Sequence, residues 1–551
     1  MQSAEAPEET SQPQLPDNWD RCHAYNEKKR RYCRQMPAPD QIYCGNHLHL
    51  IEEGCNRKRT CDDVESSADL KRNNNLKRNN KKRKDRGARI PCPIDPSHLI
   101  FESALAKHVL VCPAAREREE TRSREYYQEG TNTGGFGSLD DLSDGNNDDE
   151  GGDESTDVDR AKCLAMAVLK VFCYVFPSAA ARSDNQKKDD ASNDDLSECF
   201  LKRITEEEMY NALPEIDLSS SEEGVAKDIA KHRIKAGGPH HLHQLQSILG
   251  HARKNGLISA ADDYDENAVI EMGAGRGMLG LVAASAIGAT QTQTASSKVK
   301  LFLVERSGTR GKAETKIRTA ASADASQSND SLRLDRVEVA RIKCDLAHVH
   351  MSTALPFLTK KSEKNRTIVV AKHLCGAGTD LALKSLRDIV QSGAVDGCVM
   401  ATCCHGLCTW KDYVGRDCLL QLFQEVGGLS TLSGSDFDQL RRWTSASVLE
   451  DSAFASSQSK SDASNDDGHV IGVKSQNIYV VVKELGLACG GRGLGRACQR
   501  LIDHGRTDYI KNHLFRKTAT SSVKQECNVS LCHYCSSNVT PQNALIIARR
   551  G

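Results

Sequence analysis

Between residues 19 and 50 the chain places Cys22, Cys33, Cys44 and His47 at the spacing C-x10-C-x10-C-x2-H, with few apolar side chains around them. A stretch this short and polar folds only around something that replaces a core, and a bound metal does that. Three thiolates and one imidazole make a closed tetrahedral zinc site of the structural type. His49 competes with His47 for the fourth position, and the spacing leaves both open. A second set, Cys92, His98, His108 and Cys112, runs C-x5-H-x9-H-x3-C. Its first pair falls on a Pro- and Asp-containing turn or hairpin. Its second pair, four residues apart, shares one face of a short helix. The chain holds 22 cysteines. No apolar stretch follows a basic one at the N-terminus, so no secretory signal is expected and disulfides are not. Metal ligands and small core residues are the expected uses of these thiols.

Composition shifts divide the rest. Residues 1–18 are polar and read as disordered, 19–50 form the first zinc module, and 51–90 are a basic linker centred on RNNNLKRNNKKRKDR. Residues 91–113 form the second module, and 114–160, acidic and Gly-rich, read as a linker unable to bury a core. The remainder, 161–551, is one domain interrupted by polar runs such as 183–197, 290–298, 320–329 and 456–468, which read as surface-loop insertions. The overall charge, 74 basic against 75 acidic residues, excludes a uniformly basic coat for nucleic acid but not a local basic tract. Residues 51–90 suit phosphate contact or nuclear import. The longest apolar stretch, Cys163 to Phe176, is too short to span a bilayer and contains Lys170.

In the large domain strand-like and helix-like segments alternate. HHLHQLQSILGHARKNGL puts Leu242, Leu245, Ile248 and Leu249 near one helical face, and GMLGLVAASAIGA reads as another helix. VKLFLVE, RTIVVAKH, DGCVMATCC and NIYVVVKEL are β-branched runs expected as buried strands. Alternation of this kind predicts an α/β fold, a parallel sheet covered by helices on both faces.

Between a strand and a helix lies Glu271-x-Gly273-x-Gly275-x-Gly277. It departs from the dinucleotide pattern G-x-G-x-x-G and fits the E/D-x-G-x-G-x-G loop of S-adenosylmethionine-dependent methyltransferases. Its glycines allow close approach of the backbone to a ligand. Glu271 is expected to face the cofactor's ammonium group. Glu305 ends the next strand and suits the ribose hydroxyls, while Asp345 follows another strand-like run and suits the adenine amino group. Ligands in open α/β sheets bind at the carboxyl ends of the strands. Lys372 and His373 end one such strand and His405 follows another, which makes these three the candidates for handling a hydroxyl proton. Cys403, Cys404, His405 and Cys408, and likewise Cys527, Cys532, His533 and Cys535, have poor spacing for a closed metal site.

The two Cys/His sets, followed by EMGAGRG, KHLCGAGTDL and ATCCH, resemble the eukaryotic tRNA 2′-O-methyltransferase family that modifies nucleotide 4 of the acceptor stem. RLIDHGRTDYIKNH and VTPQNALIIARR are similar to that family's ending. The second finger also resembles CHHC fingers of RNA-associated proteins. The resemblance implies a Rossmann-like class I methyltransferase domain behind two zinc fingers, with S-adenosylmethionine and two structural zinc ions as cofactors. It implies the tRNA acceptor stem as substrate, in the nucleus or cytoplasm, without a membrane or an evident protein partner. Gly406 stands where the family carries a second histidine after Cys-Cys-His, so no role transfers to that position. The other readings are a methyltransferase of the same fold acting on a base or a protein, and a non-enzymatic RNA-binding scaffold.

Overall fold

The computed structural model describes residues 88–134 (97 apart), 154–177, 197–220, 239–258, 266–290, 298–307, 312–321, 334–359, 365–448, 477–516 and 527–551, together with the backbone pairs 25–26 and 31–32. The chain divides into two compact units, Met1–Cys112 and Pro113–Gly551.

In the first unit β1 (Tyr25–Asn26) and β2 (Arg31–Tyr32) pair antiparallel. The ligands expected at Cys22, Cys33, Cys44 and His47 lie outside the described residues. β3 (Arg89–Pro91) and β4 (Leu99–Phe101) form the expected hairpin, and the helix Leu105–Val111 follows. Among the described residues between 88 and 112, the two thiols Cys92 and Cys112 are the buried ones; Leu110 stays 83% exposed. This module therefore has almost no hydrophobic core to hold it.

The second unit is built on a seven-stranded sheet: β5 (Glu266–Met272), β6 (Val299–Val304), β7 (Val337–Ile342), β8 (Asn365–Lys372), β9 (Gly397–Ala401), β10 (Asn528–His533) and β11 (Ala544–Arg549). The spatial order is β10-β11-β9-β8-β5-β6-β7. Neighbours from β7 to β9 are parallel, and β11 runs antiparallel to both β9 and β10. The sheet is α/β and mostly parallel, and its order reverses between β5 and β8.

Strand alternation assigns the two faces. Val269, Leu301, Ile368 and Val399 pack with the helices Pro239–Lys254 and Met278–Thr290. Ile270, Val304, Val369 and Met400 pack on the other side with Leu383 of Gly378–Ser385, Val390 of Arg387–Gln391 and Leu386 between the two helices. A third core is helical. Leu164 and Phe172 of Glu154–Val175, Phe423 of Arg416–Glu425, Phe437 and Trp443 of Gly434–Trp443 and Leu501 of Gly490–Tyr509 meet there.

Two expectations change. NIYVVVKEL is a helix, Ile478–Leu485, not a strand. The Asn477 side chain accepts from the Tyr479 amide, Gly486 ends the helix at φ +64, and Ile478, Val481 and Val482 turn one face into the helical core. Capping and helical-period burial outweigh the β preference of three valines. The linker expected at 114–160 is not a linker throughout. Pro113–Arg122 is helical, and the stretch to Gly134 is fastened to the loop after β7 by Gln128 N–H to His348 O (2.8 Å) and Asn132 Nδ2 to Val349 O (2.8 Å).

The helix Gly490–Tyr509 carries buried charge. Arg506 donates to Asp380 from Nη2 (2.7 Å) and Nε (3.2 Å), and from Nη1 to Asp503 (3.2 Å), all fully enclosed. Removing one partner of a buried pair leaves an uncompensated charge. Arg506→Met is expected to cost the second unit about 3–5 kcal/mol, read from urea unfolding monitored by tryptophan fluorescence. Chelating the metal is expected to abolish amide protection in 89–112 by hydrogen exchange while the strands β5 to β9 keep theirs.

Candidate functional site

β5 ends at Met272, and the chain passes through Gly273, Ala274, Gly275, Arg276 and Gly277 into the helix Met278–Thr290. Gly273 and Gly275 hold φ +61 and +50, the left-handed region that glycine enters without strain. A Cβ on Gly273 would come within 2.4 Å of Leu374 Cδ2, whereas one on Gly275 would meet nothing within 4 Å. Gly273 is thus packed against the loop after β8, and Gly275 faces open space.

That space is a cavity of about 510 Å³ at the carboxyl ends of β5, β6 and β8. Glu271, Gly273, Gly275, Glu305, Lys372 and His373 all line it, with His241 and Leu245 from the helix Pro239–Lys254 opposite. Gly277, Asp345 and His405 are not in the lining. Gly277 closes the turn, donating from its amide to Ala274 O at 2.7 Å. Asp345 follows β7, where its carboxylate accepts from the Ala347 amide (3.0 Å) and pairs with Arg306 (3.5 Å). His405 is 2% exposed, its Nε2 is 2.8 Å from Asp503 Oδ1, and its Nδ1 has no partner among the described residues.

The acids are anchored in the loop itself. Glu271 accepts from the Gly280 amide (2.8 Å) at the start of the helix, an arrangement the helix dipole favours. Glu305 accepts from the Gly275 amide (2.8 Å) and from the Ser307 amide and hydroxyl (2.9 and 2.7 Å). Sequence reasoning did not single out Arg341. It donates from Nη1 to Gly275 O (3.0 Å) while Glu314 holds its other nitrogens (2.5 and 3.2 Å). The alternation of VARIK along β7, which turns Arg341 toward one face, was the available signal. His241, also missed, lies 2.8 Å by Nδ1 from Lys372 Nζ.

Burial acts differently on these groups. It drives the Glu271 carboxyl up to about 8, against the Gly280 amide, Arg341, the Leu279 amide and Lys372, all of which favour the charged form. Glu305 is also pushed up by burial, but the Ser307 hydroxyl and amide and the Gly275 amide outweigh this and leave it below its ordinary value. Burial brings Lys372 down to about 8, against the neighbouring Cys535, Glu271 and Cys403, whose ionised forms would favour the ammonium. His373, at φ +67, is lowered by burial and by Lys372.

In the second finger the four donors meet. Cys92 Sγ lies 3.2 Å from His108 Nε2 and 3.9 Å from Cys112 Sγ, and His98 Nε2 lies 3.0 Å from His108 Nε2. All four are within 4.8 Å of one another. Asp95 Oδ2 is 3.4 Å from His98 Nδ1, an outer carboxylate that orients the ring so that Nε2 turns toward His108 and Cys112. Two thiolates and two imidazoles at these separations fit tetrahedral zinc.

A family model described as methyltransferase TRM13 matches residues 243–549. Models of a U11-48K-like CHHC zinc finger and of a CCCH zinc finger in TRM13 protein match residues 89–113 and 20–48. The chain is 23% identical over 545 residues to a Homo sapiens protein named tRNA:m(4)X modification enzyme TRM13 homolog, covering 90% of each chain. It is 23% identical over 550 residues to tRNA:m(4)X modification enzyme TRM13 of Vanderwaltozyma polyspora, with 98% of this chain and 100% of the relative covered. Against the Saccharomyces cerevisiae enzyme of the same name it is 22% identical over 544 residues, covering 96% and 95%.

The raised Glu271 carboxyl has a pH signature. Its folded value, about 8, exceeds the ordinary 4.5. Its contribution to folding is therefore full below about 4.5 and is lost as pH climbs through 8. Glu271→Gln removes the titration, so the variant is expected to gain stability relative to the parent between pH 5 and pH 9, read as the difference between two melting-temperature profiles.

Proposed function

The chain belongs to the TRM13 methyltransferase family, and from that premise we propose that it transfers a methyl group from S-adenosylmethionine to the ribose 2′-hydroxyl of nucleotide 4 in the acceptor stem of certain tRNAs. The observation that carries the reading is the cavity at the carboxyl ends of β5, β6 and β8, into which a Cβ on Gly275 would project and around which Glu271, Glu305 and Lys372 gather. The reading includes a Rossmann-like class I methyltransferase fold. It is supported by the run β7-β6-β5-β8-β9, a 3-2-1-4-5 order whose reversal point lies beside the cavity.

The residues present suit the cofactor. A loop with no side chain at Gly275 admits close approach of a ligand. Glu305 keeps acceptor capacity for two ribose hydroxyls, and Glu271, raised to about 8 by burial, offers a carboxyl that an added cation would draw toward its ionised form. Asp345, beyond the lining, would reach an adenine amino group only from the rim. When bound, the cofactor supplies an electrophilic methyl on a sulfonium.

This chain's own part is alignment and proton handling. Lys372, steadied by His241 at 2.8 Å, is the group we assign to take the hydroxyl proton. His373, held in a left-handed conformation at the same rim, is assigned to orient the ribose. His405 is assigned a supporting part, fixing the loop after β9 through Asp503. A-form RNA presents its 2′-hydroxyls in a wide, shallow minor groove and is read through shape and backbone. The zinc modules and the basic tract at 51–90 would hold the duplex, in the nucleus or cytoplasm. No described helix is long and apolar enough to cross a membrane.

Labelled S-adenosylmethionine and unmodified tRNA transcripts test this. Label is expected at nucleotide 4, seen as nuclease resistance at that linkage, and Gly275→Asp should abolish it together with cofactor binding. Label on a base, or on protein alone, would overturn the assigned substrate. Lys372→Ala is expected to lower the single-turnover rate by roughly 10²–10⁴-fold with the cofactor Kd unchanged; an equal loss in both would assign Lys372 to binding instead.

A further inference from the structure

Three cysteines converge where β8 and β9 end, outside both finger sets. Cys375 lies three residues beyond β8, and Cys403 and Cys404 lie two and three residues beyond β9, its parallel neighbour. Their Sγ atoms are all within 4.8 Å of one another. Cys375 and Cys403 are 3.9 Å apart, the same separation as Cys92 and Cys112 in the second finger. Thiolates on tetrahedral zinc, with bonds of about 2.3 Å, sit about 3.8 Å apart. The fold holds the trio in place at a cost. Cys404 is at φ +53, and the loop carrying Cys375 starts from His373 at φ +67, two left-handed residues that are not glycine. The Cys404 amide donates to Gln542 Oε1 at 3.0 Å. Cys403 is buried, Cys404 half-buried and Cys375 exposed, so the group is closed on one side and open on the other.

We propose that Cys375, Cys403 and Cys404 form a third metal site, taking zinc through three thiolates and leaving the fourth position to water. On binding, each thiol gives its proton to solvent and one Zn–S bond forms per cysteine, so the metal with its three thiolates carries a net single negative charge. The metal would tie the loops after β8 and β9 together just behind Lys372 and His373. It is a positioning device at the cavity rim, independent of which substrate the cavity serves.

Full-length protein purified with zinc tests the site. Cys375→Ser, a change at the exposed member, is expected to lower bound zinc by one per chain by elemental mass spectrometry. Cys92→Ser should remove a different zinc, so that the double variant loses two. After cobalt substitution, thiolate-to-cobalt charge-transfer absorption should fall in Cys375→Ser. The unmodified chain provides a readout that needs no variant to fold: all three cysteines should resist alkylation until a chelator is added, as mapped by peptide mass. Equal zinc in Cys375→Ser and the parent, with all three thiols alkylated in the metal-loaded protein, would overturn the proposal. So would a disulfide joining two of the three in freshly purified protein, which would make the trio a redox pair with a bystander.

Discussion

One residue, Gly275, is held from two strands at once, by its N–H and by its C=O, and the cavity wall takes its shape from that hold. Glu305 at the end of β6 accepts its N–H, and Arg341 within β7 donates to the carbonyl of the same residue. Glu314 clamps Arg341 through two nitrogens, so the donor arrives already oriented. A glycine loop alone would be a pliant turn. Fixed by two charged side chains, it becomes a held wall of the cavity, open at Gly275, where no side chain stands. Hydrogen bonds to charged groups are the stronger kind, and here they order a backbone that glycine leaves free to move.

The two units solve stability by opposite means. The catalytic unit buries Val, Ile and Leu on both faces of its sheet and in a separate helical layer. The second finger buries little beyond its two thiols, and its hairpin and helix converge on donors instead of on side chains. The thiols at Cys375, Cys403 and Cys404 stand between these strategies. They sit on loops of a well-packed sheet, where a metal would refine the position of neighbouring residues without being needed for folding.

Much of this was legible in the sequence, for definite reasons. Buried parallel strands are runs such as RTIVVAKH, and a glycine loop between strand and helix is a local signal, so β5, β6, β8, β9 and the loop could be placed. Glu271, Glu305 and Lys372 follow from their positions at strand ends. What was not legible depends on partners distant in sequence. His241 meets Lys372 across 131 positions, and Arg341 finds Gly275 across 66. The valines of NIYVVVKEL became helical because Asn477 caps them and a helical layer receives them, which no short window reveals. His405 reads as a site residue from its place after a strand, yet in the fold its ring is enclosed against Asp503.

That enclosure has a structural logic. Asp503 accepts from Thr402 Oγ1 at 3.0 Å and meets His405 Nε2 at 2.8 Å, so one carboxylate grips both sides of the Cys403–Cys404 pair. Although burial pushes its carboxyl upward, His405, Arg506 and Arg500 hold it well below the usual range. Arg506 continues the chain of contacts to Asp380, in the helix that begins just after Gly376. The loops after β8 and β9 are therefore fastened to the same buried helix, Gly490–Tyr509, the first through the Arg506–Asp380 ion pair and the second through hydrogen bonds to Asp503. Because both loops lead to one helix, their fastening sets where Lys372, His373 and the three thiols stand relative to one another.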